Sequence, residues 1–470
     1  MFKLRPHQDE AVQAIHLMED DTGRIVMPTG SGKTVVEATV LRDRINASTK
    51  TKIHLVVAPR IQLCNQLIKE YRAVAGQQYY AVAFHSGKAE PETGKVRFTL
   101  RSTTSKDNVR EEIARAQRKN KDLVIFSTFH SMHKLKTIKF NTIIADESQY
   151  CVAEGNFEVV KELKSDLKLF FTATEKHTPS DSGRGLNNKD VFGPIIYQTT
   201  PAAMIKDGYI VPPRLHVMSA DRASDKNSTI DEIKQLATKQ MELSSEVPVN
   251  KILFAMNNTA DVQTVVEKVA DLKVAFPNHD IFTIVSNTKY GAMINGQKIA
   301  RGDFMNELRE CDNALIFHYD ILSEGIDVDG ITGVVLLRDM QHAKLLQTIG
   351  RAVRPYKANP AAKPQAWISV RSLNGDEESA QNVARIVTSI RDGGFEVNVE
   401  NVQFTSEIQP GITDPDDLDD LVDIDTRAKA KAQLESVIHS IENAEALVLK
   451  QAESVATNTL ESFFQALEVA

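Results

Sequence analysis

The chain has 470 residues, 42% hydrophobic and 25% charged, enough to bury two or three ordinary cores, so a multidomain protein is expected. Its three cysteines, Cys64, Cys151 and Cys311, are too widely spaced for a C-x-x-C metal pair and too few for a disulfide framework, which predicts no zinc site and a reducing, cytoplasmic setting. No stretch reaches the roughly 18–20 apolar residues of a membrane span, and the net charge of −7 excludes a uniformly basic surface, although residues 86–140 hold 13 Lys and Arg against 6 Asp and Glu.

Near the N-terminus an apolar run, Ile25 to Met27, breaks into Pro28-Thr-Gly-Ser-Gly-Lys-Thr34. The run predicts a buried strand, and Val35 to Arg44 predicts the start of a helix. Between them, Gly30 and Gly32 free the backbone of Thr29, Gly30, Ser31 and Gly32 to turn its N–H groups inward, where the positive end of the helix faces the same hollow. This is a phosphate-binding loop. Lys33 is expected to reach the β and γ phosphates of ATP, and Thr34 to hold Mg²⁺. Met27 stands where the general G-x-x-x-x-G-K-[ST] pattern has its first glycine, so the loop is the shorter version.

Further strands are predicted at 52–58, 80–85, 123–127, 142–145 and 169–172, alternating with helix-like segments in the manner of a parallel sheet with crossover helices. Asp146 and Glu147 follow the fourth of these strands directly, at the sheet edge where open α/β folds place ligands. Asp146 is expected to hold Mg²⁺ through water, and Glu147 to orient and deprotonate an attacking water. His85-Ser86 and Thr128 fall in loops after strands of the basic half, where short hydroxyls and backbone N–H groups can meet nucleic-acid phosphates; a pair of ordinary polar turns is the alternative. Residues 95–101 alternate polar and apolar, as a basic hairpin against DNA or a solvated edge strand would.

After a polar stretch at about 219–249 the pattern restarts, with strands predicted at 252–255, 281–285, 314–317, 334–337 and 366–369. The second α/β unit has no phosphate loop. It carries instead Gln347-Thr-Ile-Gly-Arg-Ala-Val-Arg354 on or just before a helix, where Gln347, Gly350 and Arg351, and then Arg354, fall on adjoining positions of one face. Two rigid guanidinium forks aimed at another domain's ATP would neutralise transition-state charge as arginine fingers do.

In their order along residues 1 to about 371, these motifs resemble those of superfamily 2 helicases of the DExD/H group. The resemblance implies two tandem RecA-like domains, with ATP and Mg²⁺ as cofactors and a nucleic acid as partner. It implies that Arg5 and Gln8, in Arg5-Pro-His-Gln8, recognise adenine and that Arg60 contacts a DNA strand. Asp146-Glu147-Ser148-Gln149 resembles the DExH box and Thr172-Ala-Thr174 the motif that couples ATP to nucleic acid. Ser323-Glu-Gly-Ile-Asp327 resembles the fifth motif, which implies a nucleic-acid contact at Ser323 and nucleotide contacts at Gly325 and Asp327, and Gln347 to Arg354 resembles the sixth. Gln149 departs from the pattern, since many relatives carry His or Asp there; it can still hydrogen-bond across the interdomain cleft but has no titratable charge.

The expected domains are 1–213 and 214–400, both RecA-like, an acidic linker at 401–425 and a helical tail at 426–470 that packs back on the second domain, senses branches or oligomerises. The bridge at 192–213 and the compact core are most similar to phage branch-migration and fork-remodelling helicases, which implies an ATP-dependent motor on forked or branched DNA. The alternatives are a restriction-system motor, an RNA helicase, disfavoured because Gln149 is not Asp, and a clamp or scaffold that binds ATP but barely hydrolyses it.

Overall fold

The computed structural model describes residues 3–402, apart from 47–49, 77–78, 88–100, 179–182, 221–222, 286–290, 320–327, 374–375 and 398. The expected fifth motif, most of the 95–101 segment, the acidic linker and the tail lie outside the described residues.

The first half contributes β1 (Thr22–Val26), β2 (Ile53–Ala58), β3 (Tyr80–Phe84), β4 (Arg101–Thr103), β5 (Leu123–Thr128), a short pair β6 (Lys139–Phe140) and β8 (Lys164–Ser165), β7 (Thr142–Ala145), β9 (Lys168–Thr172) and β10 (Ile195–Gln198). Eight of them form one parallel sheet in the order β10-β1-β9-β7-β2-β5-β3-β4. Both faces are covered by helices, which is why β5 and β7 are buried at every residue instead of alternating. One face packs with the helices Pro6–Leu17, Lys33–Asn46 and Ile61–Ala75 around Ile25, Val36, Leu67 and Tyr71. The other packs around Phe84, Phe126's neighbour Ile125, Phe140 and Phe170.

The second sheet comprises β11 (Pro213–Ala220), β12 (Asn250–Ala255), β13 (Asp280–Ile284), β14 (Ala292–Ile294), β15 (Gln297–Ile299), β16 (Asn313–His318), β17 (Ile331–Leu336), β18 (Ala366–Leu373) and β19 (Val399–Val402). Its order is β15-β14-β13-β16-β12-β17-β18-β11-β19, parallel except for the hairpin at one end. Met204, Ile210 and Val211, which precede β11, are buried in this second core. The two sheets are the tandem α/β architecture that the strand pattern predicts.

Three local features go beyond the strand pattern read from the sequence. The polar stretch after residue 219 contains an 18-residue helix, Lys226–Leu243, opened by an Asp225 cap that accepts from Ser228 N; Ile230, Ile233, Leu236 and Ala237 form its buried face. Residues 292–299 form a hairpin whose turn is Asn295-Gly296 with φ of 50° and 81°. Asn-Gly with both residues left-handed is the type I′ pair that matches strand twist. Finally, β11 begins inside the proline-bounded bridge and lies between β18 and β19.

Candidate active site

The sheet order places the chemistry. β1, β9 and β7 are neighbours, with Val26 opposite Thr172 and Ala145 opposite Phe170. Their C-terminal ends therefore deliver the loop 27–34, the Thr172-Ala-Thr174 turn and the Asp146-Glu147 pair to one edge, as doubly wound sheets do. Gly30 and Gly32 take φ of 90° and 84°, so both use the left-handed freedom expected of them. Lys33 opens the helix Lys33–Asn46 and donates to Met27 O at 3.3 Å.

The loop is held from behind by the first helix. His7 donates from Nε2 to Ser31 O at 2.8 Å and Gln8 from Nε2 to the same oxygen at 3.0 Å. Gln8 also accepts from Arg5 N at 3.0 Å, so both ends of its amide are committed to the protein. The Arg5 guanidinium lies 5.2 Å from the centre of the Tyr209 ring, and the His7 ring 4.6 Å from it. Tyr209 belongs to the crossing between domains. His7 and Tyr209 were not among the expected site residues, although His7 lies between two that were.

Asp146 is buried, and burial, then the Glu147 charge, push its carboxyl up to about 7, with Lys33 pulling the other way. Its Oδ1 accepts from Glu147 N at 2.9 Å. Glu147 is left-handed, φ 53° and ψ 52°, a conformation costing a non-glycine residue about 1–3 kcal/mol and typical of functional turns. Gln149 donates from Nε2 to Glu147 Oε2 at 2.9 Å and accepts on Oε1 from the Thr172 hydroxyl at 2.8 Å. Thr172 Oγ1 also accepts from Thr174 N at 3.0 Å. The departure at Gln149 is thus a neutral amide that joins the acidic pair to the Thr172–Thr174 turn.

Beneath the loop lies a pair that sequence reading missed. Glu37, one turn beyond Lys33, is fully buried and accepts from Tyr71 OH at 2.9 Å. Burial, and secondarily the Asp146 charge, push its carboxyl well above the ordinary range. The i, i+4 spacing from Lys33 was its available signal. Arg24 on β1 is likewise buried, donating to Gly193 O at 3.1 Å and pairing with Glu175 just past Thr174.

The second domain closes onto this edge through the helix His342–Ala352, every residue of which from Leu345 onward is buried. Leu345 and Ile349 face its own core, while a Cβ built on Gly350 would sit 2.4 Å from the Thr29 side chain. Only hydrogen fits there. The Arg354 side chain passes 3.7 Å from the corresponding point on Gly30, and Val211 N donates to Val353 O at 2.7 Å. Gln347 and Arg351 lie in the last turns of the helix, whereas Arg354 is past its end, so the four residues share a locality without sharing one continuous helical face. Buried Thr29 Oγ1, Ser31 Oγ and Gln347 Oε1 have no hydrogen-bond partner among the described residues. Buried polar groups left over beside a glycine-turned loop at a helix N-terminus fit a phosphate ligand.

Of the expected nucleic-acid contacts, Arg60 and Ser86 follow β2 and β3, and Thr128 ends β5, which lies between them in the sheet. Ser86 is exposed and Arg60 half-buried. His85 and Thr128 are turned inward: His85 is 1% exposed and donates to Asn65 Oδ1 at 3.2 Å, and Thr128 donates to Ser131 Oγ at 3.1 Å. Their side chains brace loops and do not present themselves to a phosphate backbone. Ser323, Gly325 and Asp327 lie outside the described residues.

Residues 1–177 match the family described as Type III restriction enzyme, res subunit (ResIII). No curated protein sequence matches the chain. Among solved structures, the ATP-dependent Type ISP restriction-modification enzyme LlaBIII bound to DNA aligns with a TM-score of 0.64 at 14% identity, covering 87% of this chain and 32% of its own. A fragment of a putative HsdR subunit of a type I restriction enzyme from Vibrio vulnificus YJ016 aligns at 0.53, with 18% identity and coverage of 85% and 67%. S. cerevisiae Dbp5 bound to RNA and ADP BeF3 aligns at 0.55, with 15% identity and coverage of 92% and 94%. The chain spans 32% of the length of the Type ISP enzyme. The fold is a mixed α/β one, with two tandem parallel sheets arranged as in the RecA-like cores of the helicase structures it aligns with.

Proposed function

We propose that the chain is an ATP-driven motor on duplex DNA. The observation that carries this reading is the meeting at one sheet edge of Lys33, Asp146 and Glu147 with the Gly350–Arg354 segment of the other domain, which reaches the phosphate loop at Thr29–Gly350 and Gly30–Arg354. Thr29 to Thr34 would hold the phosphates of ATP, and Thr34 and Asp146 the Mg²⁺. Bound ATP and Mg²⁺ supply the transferable phosphoryl group and the charge that keeps the Asp146 carboxylate ionised. Lys33 offsets phosphate charge. Glu147, aimed by its left-handed backbone and by Gln149, orients the attacking water and takes its proton. Arg351 and Arg354 neutralise the developing charge only when the domains are closed, so hydrolysis releases the contact and the two sheets part. Gln149 relays that change to Thr172 and Thr174. Repeated closing on a backbone held across both domains advances the protein along it.

Support for DNA comes from the ResIII match and from the likeness to a Type ISP enzyme bound to DNA. Among uses of such a motor, translocation within a restriction-type assembly has this added support, while remodelling of forks and junctions rests on the compact core and the bridge at 192–213. The test is ATP turnover with linear duplex, fork, four-way junction and RNA duplex, paired with displacement of a third strand from a DNA triplex. Turnover raised by duplex DNA, with displacement that requires hydrolysable ATP, is the expected result. Turnover raised by RNA and untouched by DNA overturns it. Junctions processed far better than linear duplex assign branch remodelling, and negligible hydrolysis at saturating DNA assigns the clamp.

A further inference from the structure

The second domain carries a buried cation outside the acidic site and the arginine segment. Lys363 follows a short turn, Pro360–Ala362, and is 1% exposed. Its ammonium donates to Ile331 O and Arg354 O, each at 2.6 Å, and to Ala352 O. These are the first residue of β17, the last residue of the helix His342–Ala352 and the arginine just past it. A helix end leaves carbonyls without intrahelical donors, and a cation there satisfies them and favours the negative end of the dipole. Burial lowers the Lys363 ammonium to about 7, with the Asp329 charge opposing; the three carbonyl oxygens favour the charged form as well. One side chain therefore fixes where the helix stops, how the chain leaves it and where both lie relative to the sheet.

We propose that Lys363 is a positioning residue for Arg354, holding the segment 352–354 in the geometry that brings this arginine against Gly30 of the other domain. The inference rests on reading Arg354 as a transition-state partner in ATP hydrolysis. Lys363 touches neither nucleotide nor nucleic acid in this account; it acts through the backbone it caps. Misplacing a charge-stabilising group by about 1 Å costs on the order of 10²-fold in rate, whereas nucleotide affinity, set by residues 29–34, does not pass through residue 363.

The experiment measures kcat, fluorescent-nucleotide affinity and thermal melting in the full chain for Lys363→Met, Arg354→Ala and the double variant. Lys363→Met is expected to lower kcat by about 10–100-fold with nucleotide affinity changed by less than about twofold. In the Arg354→Ala background the same substitution is expected to change kcat by less than about twofold, because the group it positions is already gone. An equal fold-loss in both backgrounds, or wild-type kcat in Lys363→Met while Arg354→Ala is slow, overturns the proposal. Normal turnover of Arg354→Ala overturns the arginine-finger reading itself, which the single variant distinguishes. Should Lys363→Met fail to fold, Lys363→Gln offers two N–H donors on a shorter side chain, too few and too short for all three carbonyls, so the segment is still displaced while the site stays polar. A reduced kcat at unchanged nucleotide affinity then supports positioning, and wild-type kcat overturns it.

Discussion

Replacing Gln149 by Leu isolates the link between the acidic pair and the coupling turn. Leucine is close in volume though one bond shorter, and the site is 8% exposed, so the cavity term is small. Two hydrogen bonds are removed, and they are unequal. The bond from Gln149 Nε2 to the Glu147 carboxylate, 2.9 Å long, involves a charged acceptor and is worth about 1.5–3 kcal/mol. The bond from Thr172 to Gln149 Oε1 is neutral, and the Thr172 hydroxyl retains Thr174 O as an acceptor at 2.7 Å, so its loss costs about 0.5 kcal/mol or less. If the Glu147 contact serves to hold the carboxylate in its productive orientation, about 2 kcal/mol of lost alignment lowers turnover roughly 30-fold, at 1.36 kcal/mol per decade. Nucleotide affinity is expected to be unaffected, because the Gln149 amide is bonded to Glu147 and Thr172 and not to the loop at 29–34. The assay is steady-state hydrolysis with and without saturating duplex DNA, beside fluorescent-nucleotide titration and a melt. Turnover within about twofold of wild type under both conditions, in a variant that melts normally, would show that Gln149 transmits nothing.

Lys33→Ala should abolish hydrolysis, since removing the phosphate-facing ammonium takes away charge compensation that Thr34 and Asp146 do not supply; undiminished turnover would refute the phosphate-loop assignment. Gly350→Ala puts a carbon 2.4 Å from the Thr29 side chain, so the domains must part, and turnover should drop by about tenfold or more while the melt of each domain is kept; a normal rate would mean that hydrolysis does not require this contact. Glu37 gives a pH prediction. Its folded pKa is raised by burial and by the Asp146 charge, so the native state retains a proton that the unfolded chain releases above the ordinary glutamate value. Stability from this group is therefore fully present at acid pH and is lost as pH rises through the folded pKa. Glu37→Gln should remove that loss and melt increasingly above wild type between about pH 5 and 8. Melting curves that stay parallel across this range would show that Glu37 is ionised in the fold.

The sheet strands and the phosphate loop were legible because their signals are local. An apolar run, two glycines with enforced left-handed φ and a following helix leave little choice of conformation. The short hairpin at 292–299 carries an equally local signal, Asn295-Gly296, but its flanking strands of three residues each are too short to show a periodicity. His85 and Thr128 show a different limit. A polar residue at a strand end lies near the functional edge by topology, but whether its side chain faces solvent depends on partners such as Asn65 and Ser131. Periodicity carries no information about those.

Lys363 marks the limit most sharply. Nothing around it in sequence forms a motif, and an isolated lysine between prolines reads as a solvated turn. Its acceptors come from residues 331, 352 and 354, which converge only once β17 and β18 pair and the helix between them ends beneath the turn. The same holds for Glu37 with Tyr71, joined across two helices. The groups that would touch ATP are written as short contiguous motifs because one ligand must meet several of them at once. The groups that aim them are satisfied by backbone carbonyls or by a single distant side chain, so their identity follows from packing. In this protein the division falls along a physical line: chemistry at strand ends can be read from the chain, and the alignment of Glu147 by Gln149 and of Arg354 by Lys363 emerges only from the folded sheets.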